Sequence, residues 1–180
     1  EVKNLFVREN HTAVRDWGPD RRAGAPLYLF SFMAIYAIGF SAVALGIARA
    51  FIDAFLALAP DKLPRVAQYT LRDNPVVHDE VARAEARISA GRAFIQTETE
   101  RAWGEVIAAG EVTMPQRMRI RLAGTHAIHE AKSALDTLYE TAGTSAIFTT
   151  TPFERRFRDM HTVVQQIQGR KANFQTVGAW

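Results

Sequence analysis

The chain has 180 residues, 48% apolar and 23% charged, with 22 lysines and arginines against 19 acids for a formal charge of +3. That is enough apolar material for one buried core and too much for a disordered chain, and the near-neutral balance gives no reason to expect nucleic acid. With no cysteine, disulfide frameworks, thiolate metal sites and thiol nucleophiles are excluded, and a reducing cytoplasm is the expected location.

The opening Glu1-Val2-Lys3-Asn4-Leu5-Phe6 is neither an initiator methionine nor a signal peptide, so the sequence is expected to be a fragment. Residues 2–8 alternate imperfectly and could form a strand, which cannot stand without a sheet. From Ala23 to Ala48 runs an uncharged stretch of 26 residues, long enough to cross a bilayer. Against a membrane span, it contains Gly24, Pro26, Ser31 and Ser41 and continues into Arg49 and Asp53, an opposite-charge pair at i,i+4. The favoured reading is the fully buried central helix of a bundle, with no membrane. Gly39 and Gly46, seven apart, are expected to let a neighbouring helix approach closely.

Three further helices carry start signals. Asn74-Pro75 is a cap followed by proline, Thr113-Met114-Pro115-Gln116 reads as a capping box, and Thr151-Pro152-Phe153-Glu154 reads as another. Val77, Val81, Ala84, Ile88, Gly91, Ile95, Ala102 and Val106 then form a seam up to Gly110, interrupted by Glu98. Met118, Leu122, Leu135, Leu138 and Ala142 form a second up to Gly143. Phe153, Phe157, Met160, Val164 and Ile167 line the third. Four helices with connections at 59–73 and 143–151 predict an all-α four-helix bundle over residues 25–180, preceded by an extended segment, 1–24.

His126 and His129 stand at i,i+3 beside Glu130, but the sequence offers no second Glu-x-x-His, so a helix face is preferred to a metal site. The hydroxyl-rich run Gly143 to Thr151 suits either a solvated loop, the reading composition favours, or a polar cofactor. Phe148 within it is a large aromatic that wants a docking place. Arg155, Arg156, Arg158 and Asp159 read as salt bridges tying the helix to its neighbours. The basic residues of 152–180 form two clusters, without the continuous stripe that duplex binding needs. His161 shares a helix stripe with Glu154, Arg158 and Gln165; taken alone it reads as structural.

The strings Glu140-Thr141-Ala142-Gly143-Thr144-Ser145 and Phe153-Glu154-Arg155-Arg156-Phe157-Arg158-Asp159-Met160-His161 resemble the C-terminal helical domain of the acyl-CoA dehydrogenase superfamily. More closely, the sequence is similar to the oxygenase components of two-component, reduced-flavin-dependent monooxygenases that hydroxylate aromatic and related substrates. Leu5 to His11 resembles the strand leaving the family's middle β domain, which the resemblance implies is missing here with the amino-terminal helical domain. The dehydrogenase branch needs a glutamate base, and neither Gln165-Gln166-Ile167-Gln168-Gly169 nor the interval between Glu9 and Glu80 contains one.

The resemblance implies reduced FMN or FAD delivered by a separate flavin reductase, a small-molecule substrate, and a homo-oligomer, dimer or tetramer. It implies a catalytic His161 that hydrogen-bonds the flavin peroxide or a substrate phenol, in a site that controls protonation and keeps water out. Gly143, Thr144, Ser145 and Phe148 are expected near the flavin, including that of a neighbouring subunit, and Arg72 near a flavin phosphate. Arg155 and Asp159 are expected to be structural. The rival readings are an acyl-CoA dehydrogenase-like flavoprotein with a displaced base and a non-catalytic oligomerisation module.

Overall fold

The computed structural model describes residues 2–12 and 24–180. Its elements are α1 (Phe32–Leu58), α2 (Pro75–Ala109), α3 (Met114–Ala142), α4 (Pro152–Val163) and a short α5 (Ala172–Gly178) that periodicity did not announce. No strand occurs among the described residues; residues 2–8 are exposed and lead into a single 3-10 turn at Glu9–His11, and residues 13–23 of the expected extended segment lie outside the described residues.

The helix ends follow local chemistry. Asn74 accepts from the Val76 amide at 2.9 Å with Pro75 at the first helical position, and Gly110 closes α2 in the left-handed region at φ 75°. The Thr113 amide donates to Gln116 Oε1 at 2.6 Å in a true capping box. Thr151 departs from expectation. Its hydroxyl turns back to the Ser145 and Phe148 carbonyls, at 3.1 and 2.9 Å, and Glu154 pairs with Arg158 instead of returning to the cap. The loop before α4 thus competes for the hydroxyl that a capping box would use.

α1 and α3 run parallel, joined by Phe51–Tyr139 at one level and by Gly124 against Ala37 at another. α2 and α4 run antiparallel to them, tied by Arg49–Glu85, Arg87–Glu130, Phe51–Phe153 and His161–Asp136. α3 is the axis of the bundle: Ala123, Gly124, Thr125, Ala127, Ala131 and Ala134 are all buried, and their small size lets α1 and α2 come close. The main core holds Phe51, Ile52, Phe55, Ile128, Leu135, Leu138 and Met160; a smaller cluster of Phe30, Ala34, Ala37, Val106 and Ile120 closes the other end. Glu98 interrupts the α2 seam because Arg119 of α3 lies 3.1 Å away and pairs with it.

α1 is not the fully buried helix expected. It is long and apolar enough to cross a membrane, with mean hydropathy 1.8, yet only 39% of its most apolar stretch is buried. Ala37, Ala44, Ala48, Phe51 and Phe55 pack inward, whereas Ile35, Tyr36, Gly39, Val43 and Gly46 are exposed. No neighbour approaches Gly39 or Gly46 within 4 Å of where a Cβ would stand; the close helix contacts fall instead at Gly91 and Gly124.

Candidate functional site

His161 lies on α4 facing α3. Its Nε2 donates to Asp136 Oδ1 at 3.0 Å, and the other Asp136 oxygen accepts from Lys132, one turn earlier on α3. A carboxylate accepting from Nε2–H fixes the tautomer, so the neutral ring presents Nδ1 as an acceptor. The imidazole rests on Phe157, with centroids 4.2 Å apart, and Phe157 stacks on Tyr139 at 4.1 Å, which leads to Phe51 and the core. The side chain keeps 37% of its surface exposed, so the ring is held from below and open above. The sequence reading placed Glu154, Arg158 and Gln165 beside His161. The structure supplies Asp136, Lys132 and Phe157 instead; Lys132 and Asp136 at i,i+4 were visible as a pair, but nothing local tied them to a histidine 25 residues on.

The run after α3 begins with Gly143 at φ 57° and ψ −140°, a conformation that only glycine adopts at low cost, and this turns the chain off the helix axis into a 3-10 turn, Gly143–Ala146. Ala146 is buried and anchors it. The Thr144 and Ser145 hydroxyls have no hydrogen-bond partner among the described residues, and Phe148 is 55% exposed rather than docked on its own chain. A turn presenting free hydroxyls beside an exposed aromatic ring has the donors and the stacking surface that a flavin requires.

Arg72 lies elsewhere. It sits in the 3-10 turn Leu71–Asp73, its carbonyl accepts from His78 Nε2 at 2.5 Å, and the residue borders a groove between α1 and α2 with Phe55, Leu56 and Val81. The structure does not bring it to the α3–α4 side where His161 stands. The Gly143–Phe148 turn abuts both α3 and α4, about two helical turns along α4 from His161 at about 1.5 Å per residue.

The remaining candidates resolve into structure. His126 meets the Phe94 ring of α2 at 5.8 Å, whereas His129 donates to the Gly169 carbonyl at 2.9 Å, so the two imidazoles serve different neighbours. No cluster of three metal-ligating side chains occurs among the described residues. Arg155 pairs with Asp159 at 3.7 Å and Arg158 with Glu154 at 2.7 Å, while Arg156 donates to the Pro152 carbonyl. These contacts staple α4 to itself and do not tie it to its neighbours as expected, because i,i+4 partners on an exposed face are nearer than any other helix. Within the glutamate-free stretch, Gln168 is buried beside a small cavity, and an amide cannot accept a proton as a carboxylate would.

Fold and motif together define the class. Residues 38–169 match the family described as acyl-CoA dehydrogenase, C-terminal domain, and the chain belongs to that family. Within it, the chain is 29% identical over 178 residues to an indole-3-acetate monooxygenase of Pseudomonas putida, covering 99% of this chain and 45% of that protein. It is 27% identical over 141 residues to the flavin-dependent monooxygenase oxygenase subunit HsaA of Rhodococcus jostii, covering 78% of this chain and 37% of that one. The crystal structure of 3-HSA hydroxylase from Rhodococcus sp. RHA1 superposes with a TM-score of 0.77 at 25% identity, over 88% of this chain and 41% of that one. XiaF from Streptomyces, at 20% identity and a TM-score of 0.71, shares the fold over 86% of this chain and 40% of its own. The chain thus spans less than half the length of these relatives.

Proposed function

We propose that the chain is the helical part of the oxygenase component of a two-component monooxygenase, which takes reduced FMN or FAD from a separate flavin reductase and hydroxylates an aromatic or related small molecule with molecular oxygen. The names of its relatives support this: an indole-3-acetate monooxygenase, and an oxygenase subunit described as flavin-dependent. The observation that carries it is the Asp136–His161 pair, a histidine with a fixed tautomer on a supported, partly open face. In this reading Nδ1 accepts the proton that the substrate gives up, and Asp136 stabilises the charged ring.

Thr144 and Ser145 would hold the polar edge of the flavin, Phe148 its ring, and Gly143 the turn that presents them. When bound, reduced flavin supplies the electrons with which one oxygen atom enters the product and the other leaves as water. Arg72 and His161 face different sides of the bundle, so the proposal gives Arg72 to the phosphate of a flavin on a neighbouring copy. The assembly is a homo-oligomer, dimer or tetramer, supported by the exposed apolar side of α1, where Ile35, Tyr36 and Val43 flank Gly39 and Gly46. Residues 1–24 join this bundle to the middle domain of the whole protein.

In the full-length protein, His161→Ala should bind reduced flavin as before yet release hydrogen peroxide in place of hydroxylated product. Unchanged product yield would remove His161 from the mechanism. Asp136→Asn, which removes the carboxylate that accepts from Nε2–H, should lower hydroxylation by about 10²-fold or more, the ordinary scale of acid–base assistance. Acyl-CoA thioesters should leave oxidised FAD in the same protein unbleached, since Gln168 offers no base.

A further inference from the structure

The carboxylate beneath His161 is divided between two donors. Asp136 Oδ1 accepts from His161 Nε2 at 3.0 Å, and Oδ2 accepts from the Lys132 ammonium. We infer that Lys132 is a positioning residue of this site: its charge offsets that of Asp136, so that the His161 ring rests neutral and keeps Nδ1 open to a proton. This role rests on the reading of His161 as a proton acceptor.

A carboxylate alone would do the opposite. Hydrogen-bonded to an imidazole, it favours the charged ring, and a ring already protonated accepts nothing. The Lys132 and Asp136 side chains are only 28% and 29% exposed, whereas the i,i+4 pairs Arg83–Asp79 and Arg155–Asp159 are more than half exposed. Charges held partly out of water are screened less, so the ammonium acts on the ring across the carboxylate they share. Phe157 covers one face of the imidazole, with centroids 4.2 Å apart, and removes part of the water that would solvate a charged ring.

The kind of base fits the role. Arg49 Nη2 donates to both oxygens of Glu85, at 2.5 and 2.6 Å, so a guanidinium can occupy a whole carboxylate. Lys132, a compact ammonium, occupies one oxygen and leaves the other to the imidazole.

Among the described residues, the other ionisable groups around the ring are engaged or turned to solvent. On α4, Arg158 pairs with Glu154 at 2.7 Å and Arg155 with Asp159 at 3.7 Å. On α3, His129 donates to the Gly169 carbonyl, Glu130 is taken by Arg87, Tyr139 stacks on the far side of Phe157, and Glu140 is exposed. Before Arg49, itself paired with Glu85, α1 carries only the exposed Tyr36, and the link after α4 carries no charge before the exposed Arg170. The charge on His161 is therefore decided between Asp136 and Lys132.

The test is a pH titration of the full-length protein followed in histidine-selective 15N spectra, with the His161 signals assigned by their loss in His161→Ala. The parent should show Nε2 protonated and Nδ1 bare in the neutral ring. In Lys132→Met the ring should stay charged to a pH higher by about half a unit or more, and in Asp136→Asn its midpoint should move the other way. A merely structural role for Lys132 leaves the midpoint where the parent has it. Lys132→Cys should behave like Lys132→Met, and aminoethylation with 2-bromoethylamine, which rebuilds an ammonium of the same reach, should return the midpoint. The parent treated alike is the control, since this chain holds no cysteine. Should Lys132→Met fail to fold, Lys132→Cys before and after aminoethylation gives the same comparison. An unmoved midpoint in the lysine variants, a downward shift, or no recovery on aminoethylation would each overturn the inference. The spectra need no substrate, so they decide the role of Lys132 whether or not His161→Ala changes product yield, the result on which the oxygenation reading stands or falls.

Discussion

The two sides of α1 use the same residue types to opposite ends. On the inner side, Ala37 lies against Gly124 of α3, where an added Cβ would stand 3.0 Å from the Ala37 carbonyl oxygen; Gly91 of α2 is similarly placed, 3.2 Å from the Ala127 Cα. On the outer side, Gly39 and Gly46 have nothing within 4 Å, and Val43 between them is exposed. A glycine in a long helix is thus either a contact already made or a contact awaiting a partner. The inner side is finished by this chain's own helices, while the outer side is apolar surface that another copy can cover.

The comparison can be broken at several points. The largest effect is expected in the inner core, where Phe51→Ala removes a ring packed on Phe153 and Tyr139 and should cost about 3–5 kcal/mol in denaturant unfolding. Gly124→Ala should cost about 1–3 kcal/mol, since the backbone of α1 has to give way. Gly39→Ala on the outer side should instead stabilise the fold by about 0.5–1 kcal/mol, the ordinary gain of alanine over glycine in a helix. A loss equal to that of Gly124→Ala would erase the distinction between the sides. Gly46→Leu should leave folding intact and lower the mass seen in sedimentation equilibrium; unchanged mass would show that the outer side is not the contact between copies.

The smallest expected effect is in pH dependence. Glu105 is held below the usual 4.5 by hydrogen bonds from Gln116 first and Arg101 next, with the Arg119 charge adding to them. A carboxylate depressed in the folded state contributes its full stability above its unfolded value and loses it as pH falls through the folded one. Glu105→Gln should therefore lower the unfolding midpoint slightly at neutral pH, and the difference from the parent should shrink below about pH 4.

Much of the bundle was legible because its signals are local. The Asn74 cap, the Thr113–Gln116 box and the Gly110 stop each involve atoms within a few residues, and the α2 seam is a period of the helix itself. The Thr151 box misled because its hydroxyl had a rival carbonyl, Phe148, inside the loop. The site was less legible. The string ending in His161 carried the resemblance to the family, but its partner Asp136 belongs to another helix and to no motif.

By itself the sequence determined that the chain is helical, where three of its four long helices begin, and which family it belongs to, since these depend on short-range hydrogen bonding, periodicity and a motif string. Only the tertiary structure decided that α1 keeps an open side, that Asp136 orients His161, and that Lys132 and His161 meet on one carboxylate. Each of those brings together side chains from helices distant in sequence, and such a meeting is fixed by packing rather than by any spacing along the chain.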